Sequence, residues 1–174
     1  MHLKKINQKG IGLVEVIAAL GISVVVITSL VSLSLFTLRS SLESKLLLEG
    51  TKVANRELEL VRAYRDSSDV WVDENDFPAA GDSGRAFLNN IDTCNSVTNM
   101  CHIDSSSFSV VTGVGTSGTG AEVVKWGFYV TQAGGGPIQK TDQAVRISVE
   151  ANWLVGGQNK YARLYTDLTN WSGN

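Results

Sequence analysis

Two periodicities divide this chain. From Ile11 to Leu38 the sequence IGLVEVIAALGISVVVITSLVSLSLFTL is apolar on every side, and Glu15 is its only charge. A helix needs about 20 apolar residues to cross hydrocarbon. The run has 28, so it predicts a membrane-spanning helix. Beyond Leu38 the pattern turns amphipathic instead of ending. Leu42, Leu46, Val53, Leu60 and Tyr64 recur near multiples of 3.6, while Glu43, Lys45, Glu49, Lys52, Arg56, Glu57, Glu59 and Arg62 fall mostly elsewhere. The spacing predicts one helix from Ile11 to Arg65, roughly 80 Å long at 1.5 Å per residue. No proline precedes Pro78, so no sharp kink is expected. Gly50 is the weak point, costing about 1 kcal/mol relative to alanine.

The second periodicity is two. Residues 66–106 read as a connecting region, with turn chemistry at DFPAAGDSG and at the segment between Cys94 and Cys101. Four strand candidates follow. The first is Phe108 to Thr112. In Val123 to Thr131, Val124, Trp126, Phe128 and Val130 alternate with Lys125, Gly127 and Tyr129. Val145, Ile147, Val149, Ala151 and Trp153 then alternate with Arg146, Ser148, Glu150 and Asn152. In Tyr161 to Thr169, Ala162, Leu164 and Leu168 share a face. Such alternation buries one face of each strand. VGGQN (155–159) reads as a hairpin loop between the last two. The expected fold class is α+β: a four-stranded antiparallel meander whose apolar face lies on Val53, Leu60, Val61 and Tyr64 of the helix.

Charge gives the chain a direction. Residues 1–10 carry +3, residues 11–65 carry +1 and residues 66–174 carry −6, so the net −2 hides a basic leader and an acidic body. Lysines stay on the cytoplasmic side, which places the body outside. An acidic body argues against direct nucleic-acid binding, which needs clustered Lys and Arg. Cys94 and Cys101 fall in the external part, where disulfides persist. The alternative is a metal held by Cys94, Cys101 and His102, a set with no visible fourth ligand. Asp66, Asp69, Asp73, Glu74 and Asp76 form an acidic string, but without the spacing of a calcium loop. Gly113-Val-Gly-Thr-Ser-Gly118 matches G-x-G-x-x-G after a strand, yet leads into another strand where a pyrophosphate site needs a helix N-terminus. With His2 in the leader and His102 beside a cysteine, no histidine triad can be assembled. The expectation is no enzyme, no metal and no cofactor.

A signal peptide has an apolar core of about 7 to 15 residues and a small-x-small cut site. Neither is here. The ten residues MHLKKINQKG end instead in Lys9-Gly10 against the apolar start. KGIGLVEVIAAL resembles the N-terminus of type IV prepilins and pseudopilins. The stretch ANRELELVRAYRDSSDVW (54–71) is similar to the end of the long helix in minor pilins, and VEANWLVGGQNKYARLYTDLTNW to their last hairpin. The resemblance implies a leader, residues 1–10, cut between Gly10 and Ile11 by a prepilin peptidase, with N-methylation of Ile11. It implies a transmembrane and fibre-core helix (11–38), an amphipathic continuation (39–65) and an extracytoplasmic head (66–174) with the pilin fold.

The same resemblance assigns Glu15 to filament assembly. Cleavage would create an α-amino group at Ile11, about 6 Å along the helix from Glu15. In stacked subunits, the Glu15 of one can meet the amine of the next, and removing either from a dehydrated pair leaves an uncompensated charge. Small residues, among them Gly12, Ala18, Ala19, Gly21 and Ser23, suit close helix approach. The implied partners are other pilin subunits, the peptidase and an inner-membrane assembly platform. The implied location is a single-pass membrane protein before assembly and an extracellular filament after it. The function so implied is that of a structural subunit, a minor pilin. Two rivals stand beside it: a pseudopilin of a secretion or competence machine, and a membrane-anchored surface-binding domain that never assembles.

Overall fold

The computed structural model describes residues 11–68, 70–72, 86–119 and 123–170. Helix α1 runs Ile11–Ser67, 57 residues without a break. That is two residues past the boundary the periodicity predicts, and no proline interrupts the i→i−4 ladder. Contacts divide the chain into two units, Met1–Ser44 and Lys45–Asn174. Among the described residues the first is α1 as far as Ser44. The second carries the rest of α1, then α2 (Phe87–Ile91), β1 (Cys101–Asp104), β2 (Ser109–Thr112), β3 (Gly115–Ser117), β4 (Val124–Gln132), β5 (Ala144–Val155) and β6 (Gln158–Thr169).

The sheet has six strands in the order β2-β1-β4-β5-β6, with β3 also on β4. All its pairings are antiparallel. The expected four-stranded meander is therefore corrected, although α+β stands. β4, β5 and β6 form the meander that alternation predicts, in the register Phe128↔Val149↔Leu164. Gly156 and Gly157 close the last hairpin with φ of 58° and 80°. Both are left-handed, the two-residue geometry whose twist matches the flanking strands. The two additions escaped the pattern for separate reasons. β1 has four residues, too few to show a period. β3 is Gly-Thr-Ser and buries only its glycine.

β1 joins β4 only at Cys101↔Phe128. Beyond that point β3 takes over the β4 edge, pairing Gly115 with Trp126. β1 turns away with β2, and this divergence opens the space that holds the candidate site described below. The connecting region is also more than a linker. Phe87, Leu88 and Ile91 of α2 are fully buried. Phe87 N–H donates to Val70 O at 3.0 Å, and Leu88 N–H donates to Trp71 O at 2.9 Å. Burying each such side chain contributes about 1.5–3 kcal/mol. The turn DFPAAGDSG lies outside the described residues.

On α1 the buried line runs Leu46, Gly50, Ala54, Leu58 and Val61, while Val53, Leu60 and Tyr64 are only half-buried. The expected face is rotated because Trp153 of β5 lies against Gly50. An added Cβ at Gly50 would stand 2.9 Å from Trp153 Cε3 and closer still to Cζ3. Trp153 is 4% exposed and has little room to move. Helix propensity alone predicts that Gly50→Ala stabilises by about 1 kcal/mol. Overpacking a core costs about 1–3 kcal/mol, and here it prevails. Gly50→Ala is expected to lower the stability of the full chain in neutral detergent by about 1 kcal/mol. A thermal melt followed by tryptophan fluorescence checks the sign, and a higher melting temperature would refute the contact.

Candidate functional site

Every residue from Gly12 to Ser41 is exposed. Five of the six hydroxyls within the apolar run, all but that of Ser32, are bonded to the helix itself. Ser23 donates to Ala19 O, Thr28 to Val24 O, Ser29 to Val25 O, Ser34 to Leu30 O and Thr37 to Leu33 O, at 2.8–2.9 Å. Such back-bonding to the residue four before it removes the cost of taking a hydroxyl into an apolar medium. The helix is long and apolar enough to span a membrane. The one charge in it has no such internal bond among the described residues. Glu15 is exposed one turn from the start of α1, and among the described residues no hydrogen bond or ion pair reaches it. Gly10 lies outside the described residues, and Ile11 opens the helix.

The other sequence candidates separate. Cys94 and Cys101 form a disulfide, with Cα atoms 5.5 Å apart. That leaves neither sulfur as a thiolate for the alternative metal site. His102 Nδ1 lies 3.0 Å from Gly113 O instead. The disulfide ties the segment after α2 to β1 through Cys101, and Val130 N–H, which donates to Cys94 O at 2.7 Å, ties it to β4. Asp69, Asp73, Glu74 and Asp76 lie outside the described residues, and Asp66 accepts from Arg65 Nε at 2.8 Å. The G-x-G-x-x-G stretch resolves into packing. Gly113 turns out of β2 with φ 104°. A Cβ on Gly115 would stand 2.6 Å from Trp126 Cε2, 2.7 Å from Cζ2 and 2.9 Å from Nε1.

That indole points to a residue the sequence pattern passed over. Glu57 is 2% exposed. Its Oε1 accepts from Ile103 N–H at 2.6 Å, and its Oε2 accepts from Trp126 Nε1 at 3.2 Å. Ile103 lies where β1 has left β4, so the carboxylate takes the place of a strand. Burial pushes the Glu57 carboxyl above its ordinary 4.5. The two hydrogen bonds oppose this, as do the charges of His102 and Arg56. A groove of about 350 Å³ opens beside it, lined in part by Arg56, His102, Asp104, Thr116 and Trp126. Both carboxylate oxygens are already engaged, so the chemistry on offer is a clamp between helix and sheet. The signal for Glu57 was its spacing: Gly50, Ala54, Glu57 and Val61 follow one 4-3-4 line.

Comparison with family models, with curated proteins and with solved structures finds no match to this chain.

Proposed function

We propose that this chain is a filament subunit of the type IV pilin kind, a minor pilin that is anchored by α1, processed at Gly10–Ile11 and assembled through its N-terminal helix. The observation that carries the reading is the front of α1. Its apolar run bonds five of its six hydroxyls to its own backbone and, among the described residues, leaves one carboxylate, Glu15, without an internal partner. A lone carboxylate in hydrocarbon costs several kcal/mol unless a cation meets it. Cleavage before Ile11 supplies that cation on a neighbouring copy. The α+β unit with a long helix against an antiparallel sheet is consistent with a pilin head. Catalysis has no part in this reading, and the expected partners are other subunits, the peptidase and the assembly platform.

Processing tests the reading first. Native protein is expected to begin at Ile11, with a methylated amine, and Gly10→Leu is expected to leave the precursor uncut in the membrane. N-terminal peptide mass analysis of the purified native chain decides it. A mature chain that retains Met1 to Gly10 would return the protein to the class of permanent membrane anchors.

A further inference from the structure

β6 is twelve residues long and contains no proline. Among the described residues its only strand neighbour is β5. Long open edges invite pairing with another chain, and proteins ordinarily blunt them with bulges, prolines, charged side chains or very short strands. β6 carries Lys160, Arg163 and Asp167, and the last two are each held by an ion pair to β5. The backbone here is ready to pair. The loop Gly156-Gly157 is flanked by Val155↔Gln158, and the flanking pair of a two-residue hairpin is a hydrogen-bonded one. Counting by twos, the even residues of β6 bond to β5. The odd residues, Tyr161 to Thr169, direct N–H and C=O to the open edge.

The side chains of the same odd residues form the outward face. Tyr161 and Tyr165 are 61% and 71% exposed. Arg146 grips Asp167 through Nε–Oδ1 at 2.8 Å and Nη2–Oδ2 at 3.0 Å, and its guanidinium lies 5.1 Å from the Tyr165 ring centre. Arg163 holds Glu150 at 2.5 Å and lies 4.9 Å from the Tyr161 ring centre. We propose that this edge pairs antiparallel with β6 of a second copy of the chain, in a register centred on Tyr165. In that register Asp167 stands opposite Arg163 of the second copy. A row of alternating charge then crosses four strands: Arg146 and Asp167 of one copy, then Arg163 and Glu150 of the other. A register centred on Arg163 would place the two arginines face to face, and like charges directly opposite destabilise a pair. Charge complementarity therefore selects both the occupant and the register.

The symmetry has a consequence for where the second copy sits. Extending a sheet antiparallel with matching faces requires a two-fold axis normal to the sheet. The second half of α1 lies along one sheet face, through Gly50 at Trp153, Glu57 at Trp126 and Arg62 at Thr166. The two-fold reverses that stretch of helix, so paired copies carry residues 45–67 in opposite directions. The pairing rests on no step of filament assembly.

Cysteine substitution in the full chain tests the register. Residues directly opposite in a hydrogen-bonded pair have Cα atoms about 5.5 Å apart, within disulfide reach. In neutral detergent under mild oxidation, Tyr165→Cys is expected to convert most of the chain to a covalent dimer. Tyr161→Cys alone is expected to stay unlinked, and Tyr161→Cys combined with Thr169→Cys is expected to link. The wild-type chain should dimerise in neutral detergent, and Tyr165→Lys, which sets two like charges opposite each other, should abolish dimerisation. A chain that links equally at both single positions or at neither overturns the proposal, as does dimerisation that ignores Tyr165→Lys. Association through the front of α1 would leave the Tyr165→Cys chain unlinked.

Discussion

Glu57→Leu is expected to destabilise the Lys45–Asn174 unit by about 2 kcal/mol near neutral pH. The substitution strands the N–H of Ile103, which β4 no longer pairs and Glu57 now satisfies at 2.6 Å. An unmade hydrogen bond at a buried donor costs about 1–3 kcal/mol. The Trp126 N–H adds less, because that side chain is half-buried and can reach water. Relief from holding a desolvated charge offsets part of the loss. Glu57→Gln keeps an acceptor for Ile103 and carries no charge, so it should lie within about 1 kcal/mol of the wild type.

The pair of variants also sets a sign for pH. The folded state raises the Glu57 pKa above its ordinary 4.5, with burial as the largest cause. Between those two values the folded chain binds more protons than the unfolded one, so stability falls as pH rises. The Glu57 contribution is complete below 4.5 and is lost as pH climbs through the raised value. Glu57→Gln has no such titration. The wild type should therefore be most stable relative to Glu57→Gln at about pH 4 and lose ground towards about pH 8. Melting curves of both full-length chains in a neutral detergent give the difference directly. A constant difference, or one that grows in favour of the wild type as pH rises, would mean that burial does not govern this carboxylate.

What was legible in the sequence depended on how far each feature reached along the chain. The long helix and the β4–β6 meander repeat a period over many residues, so local pattern and tertiary packing agree. The glycine pair at 156–157 marked its turn because two successive left-handed residues have few alternatives. Where one contact decides, the pattern misled. Gly50 looked like a flaw in a helix until Trp153 was placed against it. Glu57 looked like one more solvated acid among Glu49 and Glu59, because a charge on an apolar line is normally discounted. β3 has no apolar side chain to announce it, and exists because Gly115 leaves room for the Trp126 ring. At the front of α1 the situation reverses. Glu15 is conspicuous in the sequence, since a single charge in a 28-residue uncharged run has no local explanation.

If the chain is a filament subunit as proposed, Glu15→Val should leave membrane insertion intact and remove the chain from filaments. Insertion becomes easier when a carboxylate leaves an apolar run. Processing should continue, because in the proposed reading the cut would be read at Gly10. Assembly is different. In the dehydrated space between helices the Ile11 amine of a neighbour would lose its counter-charge, and breaking a buried pair from one side costs about 3–5 kcal/mol. That corresponds to more than a hundredfold in an equilibrium, since each 1.4 kcal/mol is about tenfold. Glu15→Gln should fall nearly as far, because an amide of the same shape accepts a hydrogen bond but supplies no charge. The measurement is the ratio of variant to wild-type subunit in sheared filaments from cells expressing both, at matched membrane levels. A ratio reduced at least about tenfold for both variants is the expected result. Equal incorporation of Glu15→Val would show that the carboxylate is held at the headgroups by its own flexibility, and that the front of α1 is an anchor and nothing more.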